Sequence, residues 1–371
     1  GSPSEDMIAF YEARAVGGAG LIIPEIARVN DVHGAGMMRQ LSVSKDRHIE
    51  GLAKLAAVVH KHGTKIFIQL HHPGRETVTA LTGGPVVSAS AIPCKYLQQE
   101  TRALSTEEVK ALIQQFIAGG VRVKKAGCDG VELHAAHGYL LQQFLSPYTN
   151  KREDEYGGSF ENRAKFPLEC IRAIRANMPE GMPLLMRIDA HDDYLEGGLT
   201  IEEVIKFCKL AQEAGVDVLD VSRGNILSNG LKFEVPPVDL PQGFNVDNAA
   251  KIREATGMLT IGVGRINTPE LAEKILEEDK VDMVVMGRAQ LADPEFCKKA
   301  KAGETDDIDY CVGCNQGCYD GFENMDMECI TCLRNPALGR EKECEIYPTE
   351  KPETVLVAGG GIAGLEAAII L

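Results

Sequence analysis

The chain has 371 residues, a formal net charge of −15, 44% hydrophobic residues and 25% charged residues. A chain of this size buries a sizeable core and holds one large domain plus a smaller piece. Its acidic balance disfavours nucleic acid and anionic membrane surfaces as partners. No apolar run reaches the roughly 18 residues that span a bilayer and no secretory signal opens the sequence, so the expected location is the cytoplasm.

Read forward, helix and strand signals alternate. SEDMIAFYEARAVGG carries apolar residues at helical spacing and ends on Gly17-Gly18. AGLIIPEIARV follows as a strand, RHIEGLAKLAAVVHKHG as a helix closed by Gly63, and TKIFIQLHH as a strand. Residues 73–103 show no clear period and read as an excursion over one face. Ser105 with Glu108 forms a capping box for a helix running to Lys125. A strand at 129–134, a helix at 161–177 and the strand PLLMRIDA come next, then a helix opened by Thr200 with Glu203. GVDVLDVS is a strand, DNAAKIREAT a helix and MLTIGVG a strand; Thr268-Pro269 caps another helix. DMVVMG is the last strand, and Asp293-Pro294 opens the last helix.

Strands and helices in strict alternation imply a parallel sheet with right-handed crossovers. Seven strands and eight helices come close to an α/β (β/α)8 TIM barrel, which needs eight strands, so the first is expected before residue 1. The alternative is an open doubly wound sheet. That fold calls for a glycine-rich phosphate turn after its first strand, and none stands there.

His134, His137 and Tyr139 fall where the strand GCDGVEL ends and a loop begins. Two imidazoles and a phenol supply several donors and a proton source. One histidine at such a place reads as an ordinary polar residue satisfying nearby backbone; the trio at a strand's C-terminal end reads as a site. From His134 to Arg163 the sequence runs H-x-x-H-G-Y-L, F-L-S-P, then N-x-R-x-D-x-Y-G-G-S-x-E-N-R. This stretch closely resembles the signature of the old yellow enzyme family, flavin-dependent ene-reductases built on a barrel. The resemblance implies His134 and His137 as binders of a substrate carbonyl oxygen and Tyr139 as the acid that protonates the neighbouring carbon. It also agrees with a first barrel strand lying before residue 1.

In a TIM barrel, phosphate is held after strands seven and eight. The matching turns carry Gly264-Arg265 and Gly287-Arg288; glycine lets backbone N–H groups approach an anion, and arginine adds a charge-assisted fork. The family places FMN there. Gln69, an amide in an apolar strand, can donate to and accept from a flavin's pyrimidine edge, and Arg187 matches a flavin-binding position near N1. A salt bridge from Arg187 to Asp189 or another acid is the competing reading. His71 and His72 read as pocket lining at best.

Of eleven cysteines, Cys94, Cys128, Cys170, Cys208 and Cys297 are scattered, while six crowd between Cys311 and Cys344. A cysteine cluster in a cytosolic chain suggests metal. Cys311-x2-Cys314-x3-Cys318 with Cys329 and Cys332 behind it can wrap an iron–sulfur cluster. The CVGC and CITC pairs also allow zinc on spacing alone. C-x-G-C-N-Q-x-C followed by C-x-x-N-P resembles the [4Fe–4S] segment of the larger members of the same family, and that resemblance implies Cys311, Cys314, Cys318 and Cys332 as ligands. Cys329 is the runner-up for the fourth, and Cys344 is not expected to ligate.

VLVAGGGIAGLEAAIIL closes the sequence: a strand, Gly359-x-Gly361-x-x-Gly364 and a helix, the dinucleotide fingerprint in its proper context. In the family this domain binds FAD, with NAD(P)H docking beside it. The expected organisation is therefore an FMN barrel at 1–303, an iron–sulfur segment at 304–350 and the start of a dinucleotide domain at 351–371. The resemblance implies electrons passing from NAD(P)H to FAD, the cluster and FMN, then as hydride to a C=C bond conjugated to a carbonyl. SRGN at 222–225 and FEVPP at 233–237 resemble the bile-acid 3-oxo-Δ4 oxidoreductases, which makes a 3-oxo steroid or an enoate the first substrate expectation. Dienoyl-CoA reductase, amine dehydrogenase and a non-catalytic electron relay are the rivals, and homo-oligomerisation stays open.

Overall fold

The computed structural model describes all residues except 194–196, 228–232, 324–328 and 345. Helix α1 (Glu5–Val16) leads to two short strands, β1 (Leu21–Ile22) and β2 (Ala27–Arg28), then α2 (Ile49–His60) and β3 (Lys65–His71). An excursion holds α3 (Thr79–Thr82), β4 (Val86–Ser88) and β5 (Thr101–Ala103). Then come α4 (Thr106–Lys125), β6 (Gly130–Ala135), α5 (Leu140–Leu145), α6 (Phe160–Asn177) and β7 (Leu184–Asp189). The pattern continues with α7 (Ile201–Ala214), β8 (Val218–Ser222), α8 (Val246–Thr256), β9 (Leu259–Gly262), α9 (Pro269–Glu277) and β10 (Met283–Val284). Short helices α10 (Gly287–Ala292), α11 (Phe296–Ala302), α12 (Tyr319–Glu323) and α13 (Ile362–Ile370) follow.

The helices begin where local chemistry starts them. Ser105 accepts from Glu108 N at 3.2 Å while Glu108 accepts from Ser105 N at 2.8 Å. Thr200 and Glu203 repeat the reciprocal bond at α7, and Thr268 caps α9 with Pro269 in its first turn. Each such cap contributes about 1 kcal/mol by satisfying an otherwise unpaired amide.

The main sheet runs β1-β3-β6-β7-β8-β9-β10, with β2 also on β3, and every ladder is parallel. The sheet is curled. Phe67, Leu185, Val218 and Ile261 meet on its inner face, and Leu21 and Ile23 from one end of the strand order join Val285 from the other against them. The larger core lies between the outer face of the sheet and the helix layer. Among the described residues β10 and β1 do not pair with each other.

Four readings of the sequence change. The strand expected at 19–29 is split into β1 and β2, because Pro24 between them has no N–H to give a ladder. The aperiodic stretch 73–103 holds a parallel pair, with Val86 opposite Thr101. Four short helices, α3, α5, α10 and α12, were not anticipated; at four to six residues each they are too short to show a period. The strand expected before α13 makes no ladder among the described residues, and Leu356 within it is exposed. A strand exists only by pairing, which local sequence cannot supply. No described helix is long and apolar enough to cross a membrane.

Candidate active site

Successive strand residues alternate faces, so residues two apart stack in layers along the inner side of the curled sheet. Above the apolar floor of Phe67, Leu185 and Val218 lie Gln69, Glu132, Arg187 and Asp220; one step further are His71, His134, Asp189 and Ser222. Gly130 makes room for the floor, since a Cβ there would stand 2.8 Å from the Phe67 ring. The polar layer is cross-linked in register: Gln69 opposes Glu132 and donates to its Oε1 at 2.5 Å, while Arg187 opposes Asp220 and donates to its Oδ2 at 2.8 Å. Arg187 therefore has an acid partner, Asp220 rather than Asp189. Its Nε has no partner, nor do Glu132 Oε2 and Asp220 Oδ1. Burial alone would lower the guanidinium's pKa, but Asp220, Glu132 and Asp189 outweigh it and hold the charge on.

The chain leaves β6 through two left-handed residues, His137 at φ 59° and Gly138 at φ 79°. This turn places three predicted side chains together. His134 and His137 have ring centroids 5.0 Å apart, and Tyr139 lies 4.9 Å from His134. Asp189 accepts from the His137 backbone N at 2.8 Å, and Ser222 Oγ lies 2.7 Å from His137 Nε2. His134 Nδ1 accepts from Ala136 N at 3.3 Å, which leaves the neutral ring its proton on Nε2. Burial first, then neighbouring His and Arg187 charge, pushes both imidazoles far below their usual range. Burial, then Glu234 and Glu76, pushes the Tyr139 phenol up. Two neutral imidazoles thus face a protonated phenol. His71 joins them edge-on to Tyr139 at 4.4 Å; His72 turns aside to accept from Gly74 N.

Next to this turn lies a cavity of about 350 Å³ lined by Arg187, Ser222, Glu234, Gly264, Arg265, Gly287 and Arg288 among others. Five predicted flavin residues therefore share one cavity. Gln69 does not line it, being drawn to Glu132, and none of the His–Tyr trio lines it; Ser222 and Glu234, whose Oε1 is 3.7 Å from His137 Nδ1, stand between the trio and the cavity. Gly264, at φ 133°, is required where it stands, since a Cβ would lie 2.9 Å from the Phe244 ring. The arginines are engaged rather than free: Arg265 donates to the carbonyls of Val238 and Leu240, and Arg288 to Pro236 O at 2.8 Å and Asn315 Oδ1 at 2.5 Å. Arg265 Nε and Asn267 Oδ1 have no partner.

A second hollow of about 20 Å³ is walled by Cys311, Cys314, Cys318 and Cys332 together with Arg288. Cys329 is not in its wall; its Sγ lies 3.0 Å from where a Cβ on Gly339 would be. Cys344 is not in the wall either. Thr331 N donates to Gly317 O at 3.0 Å, tying the two cysteine runs together. No three described His, Cys, Asp or Glu side chains converge closely enough for a single metal ion. At the far end, Gly359 has φ 122°, Gly361 caps α13, and a Cβ on Gly364 would fall 1.9 Å from Gly359 O, so only glycine lets helix and turn meet.

The residues that sequence reading missed are Glu132, Asp220 and Glu76; Asp189 was read only as a possible partner of Arg187, and Ser222 and Glu234 were noted only within the runs SRGN and FEVPP, without a role. For Glu132 and Asp220 the signal was present, a carboxylate inside the apolar runs GVEL and VLDV.

A curled parallel sheet whose polar cluster gathers at the C-terminal ends of its strands defines a barrel-type enzyme. The chain belongs to the NADH:flavin oxidoreductase / NADH oxidase family, whose model matches residues 1–307. It is 44% identical to an NADH oxidase of Thermoanaerobacter brockii, over 100% of this chain and 56% of that protein. To a cinnamate reductase of Clostridium sporogenes it is 34% identical, over 99% of this chain and 58% of the relative. Among solved structures, a 2-naphthoyl-CoA reductase complex superposes at TM-score 0.92 with 32% identity, covering 100% of this chain and 58% of that one. Histamine dehydrogenase from Rhizobium sp. 4-9 superposes at 0.88 with 28% identity, covering 100% and 54%. The chain spans just over half the length of these relatives.

Proposed function

We propose that this chain is the flavin-bearing half of an NAD(P)H-dependent ene-reductase acting on a C=C bond conjugated to a carbonyl. The observation that carries the reading is the neutral His134–His137 pair facing the protonated Tyr139 phenol beside the 350 Å³ cavity. His134 Nε2–H and His137 donate to the carbonyl oxygen and stabilise the negative charge that develops on it. Tyr139 Oη gives its proton to the α-carbon. An imidazolium could surrender its own proton to solvent or product; neutral rings hold the oxygen by hydrogen bonds and leave protonation to the phenol.

The cavity fits FMN. Gly264 and Gly287 supply close backbone, and Arg187 Nε, Arg265 Nε and Asn267 Oδ1 are buried polar atoms awaiting a partner. FMN held there supplies hydride chemistry that no side chain of this protein can perform. Cys311, Cys314, Cys318 and Cys332 share the wall of one hollow, and four thiolates are the ligand set that a [4Fe–4S] group takes. Gly359, Gly361 and Gly364 fit the opening of an FAD-binding domain, with NAD(P)H as the electron source. We accordingly divide the chain into a flavin barrel at 1–303, a cluster segment at 304–350 and the start of a dinucleotide domain from 351.

The cinnamate reductase and 2-naphthoyl-CoA reductase relatives support an unsaturated acid, ester or enone, and a 3-oxo-Δ4 steroid fits the same chemistry. One observation favours a second reading. The carboxyl of Glu234 lies 3.7 Å from His137 Nδ1, a position that would also suit a cationic amine, and histamine dehydrogenase is structurally similar. An anaerobic test separates the two. Full-length protein reduced with NAD(P)H should be reoxidised by cinnamate or a 3-oxo-Δ4 steroid; an oxidised flavin that bleaches on adding an amine, with no response to any enone, would overturn the proposal.

A further inference from the structure

The layer beneath the catalytic trio holds ionisable groups that the ene-reductase chemistry does not use. Glu132 and Asp220 are both fully buried and flank Arg187, the one cation in this layer among the described residues, from neighbouring strands. Arg187 is bonded to Asp220, and Glu132 to the neutral amide of Gln69. Other charged or titratable groups facing the layer are His134 on the same strand as Glu132, His71 on β3, Asp189 beside Arg187 on β7, and Glu234 from the cavity wall. Two ionised carboxylates sharing one guanidinium would leave a net negative charge out of water, which costs several kcal/mol. One proton must therefore reside in the layer, and the pairing puts it on Glu132, whose pKa burial and Asp220 push to about 8. Asp220, also pushed up by burial, stays ionised only by leaning on Arg187.

Arg187 faces the cavity with an unpartnered Nε. A negative charge arriving there competes with Asp220 for the guanidinium. We propose that Glu132 and Asp220 form a proton-sharing pair that compensates this charge, Glu132 holding a standing proton and Asp220 taking up a second from solvent when the cavity group is reduced. The inference rests on the flavin reading above. Its balance is simple. Oxidation of NAD(P)H at the dinucleotide domain releases two electrons, which reach the cavity flavin through the cluster; with one proton taken from solvent the flavin gains one negative charge, and NAD(P)⁺ and its released proton are left behind. One solvent proton then binds Asp220. When the hydride passes on to substrate, that proton returns to solvent; the substrate's own proton comes from Tyr139, so Asp220 is a positioning residue and not an acid for the substrate.

The test is the pH dependence of the bound flavin's midpoint potential in the full-length protein, between pH 6 and 7, where Glu132 stays protonated. Each proton per two electrons contributes about 30 mV per pH unit, a tenfold change in proton activity at the two-electron rate. Wild type should show about 60 mV per unit, two protons per two electrons. Asp220→Asn should fall to about 30, and Glu132→Gln should keep the wild-type slope, because the amide stands in for a carboxyl already protonated. If Asp220→Asn does not fold, proton uptake on photoreduction of wild type, read with an indicator dye in weak buffer, decides: two protons per flavin support the proposal and one overturns it. A common slope for wild type and Asp220→Asn also overturns it while leaving flavin binding intact. Absence of bound flavin mononucleotide in wild type would remove the reading beneath it as well.

Discussion

Tyr139→Phe removes one oxygen and keeps the ring. The ring is held edge-on by His71 at 4.4 Å and His134 at 4.9 Å, so the pocket's shape and the neighbouring cavity should survive. What disappears is the proton. Loss of a positioned general acid slows the protonation step by roughly 10²–10⁴-fold, or about 2.7–5.4 kcal/mol of barrier. The surrounding imidazoles are held neutral, so none of them offers an imidazolium as a substitute. The nearby acid able to intervene is Glu76, whose carboxyl burial and Glu234 keep protonated, so Tyr139→Phe combined with Glu76→Gln should fall below the single variant if Glu76 takes over. The assay is anaerobic stopped-flow reoxidation of NAD(P)H-reduced full-length protein by an enone. Reduction of the flavin by NAD(P)H should match wild type. His134→Ala and His137→Ala should instead weaken substrate binding and slow hydride transfer together. Normal reoxidation by Tyr139→Phe would refute the assignment of the phenol as the acid.

Three further outcomes are expected. Cys332→Ser should strip the full-length protein of its iron, about four atoms per chain, while Cys344→Ser should not; stoichiometric zinc without labile sulfide would refute the cluster. Gly138→Ala forces a left-handed residue to carry a Cβ 2.6 Å from Glu76 Oε1, which costs about 1–2 kcal/mol in backbone alone. It should shift the Tyr139 turn, lowering enone reoxidation far more than thermal stability, and an unchanged rate would contradict the turn's role. Folded Glu132 keeps its proton up to about 8 whereas an unfolded glutamate loses it near 4.5, so stability falls as pH rises through that window, by on the order of a few kcal/mol. Apoprotein Tm should therefore drop from pH 6 to pH 9, and Glu132→Gln should blunt the drop.

The regular parts of the fold were legible because burial writes itself into the sequence: the capping boxes at Ser105 and Thr200 begin helices where expected, and the short apolar runs in IFIQLHH and LLMRID locate strands. The short pieces were not. A four- to six-residue helix such as α5 has no period to display, and the pairing of Val86 with Thr101 is a long-range choice that neither strand announces. In the site, Tyr139 and the two histidines stood out because three polar groups closed an apolar run. Ser222 and Glu234 lay in the runs SRGN and FEVPP, but their meeting with His137 was not legible, since it depends on strand order and on the path of a loop. The arginines show the opposite failure: Arg265 and Arg288 look like anion forks in sequence, yet much of their bonding capacity goes to the carbonyls of 236–240.

Arg288 and Cys311 each belong to both hollows, and Asn315 in the cysteine segment holds Arg288 on one side and Val235 O on the other. The larger cavity is thus finished by residues that arrive late in the chain. Its assembly has an order: until the cysteine run is seated, the Pro236–Leu240 wall lacks the Asn315 anchor beside it. Exposure to oxygen attacks that anchor first, because thiols are the most oxidisable side chains in either wall. A preparation handled in air should therefore shed its flavin in parallel with its iron, and the faded colour would report damage to the cysteines before any change in the barrel itself.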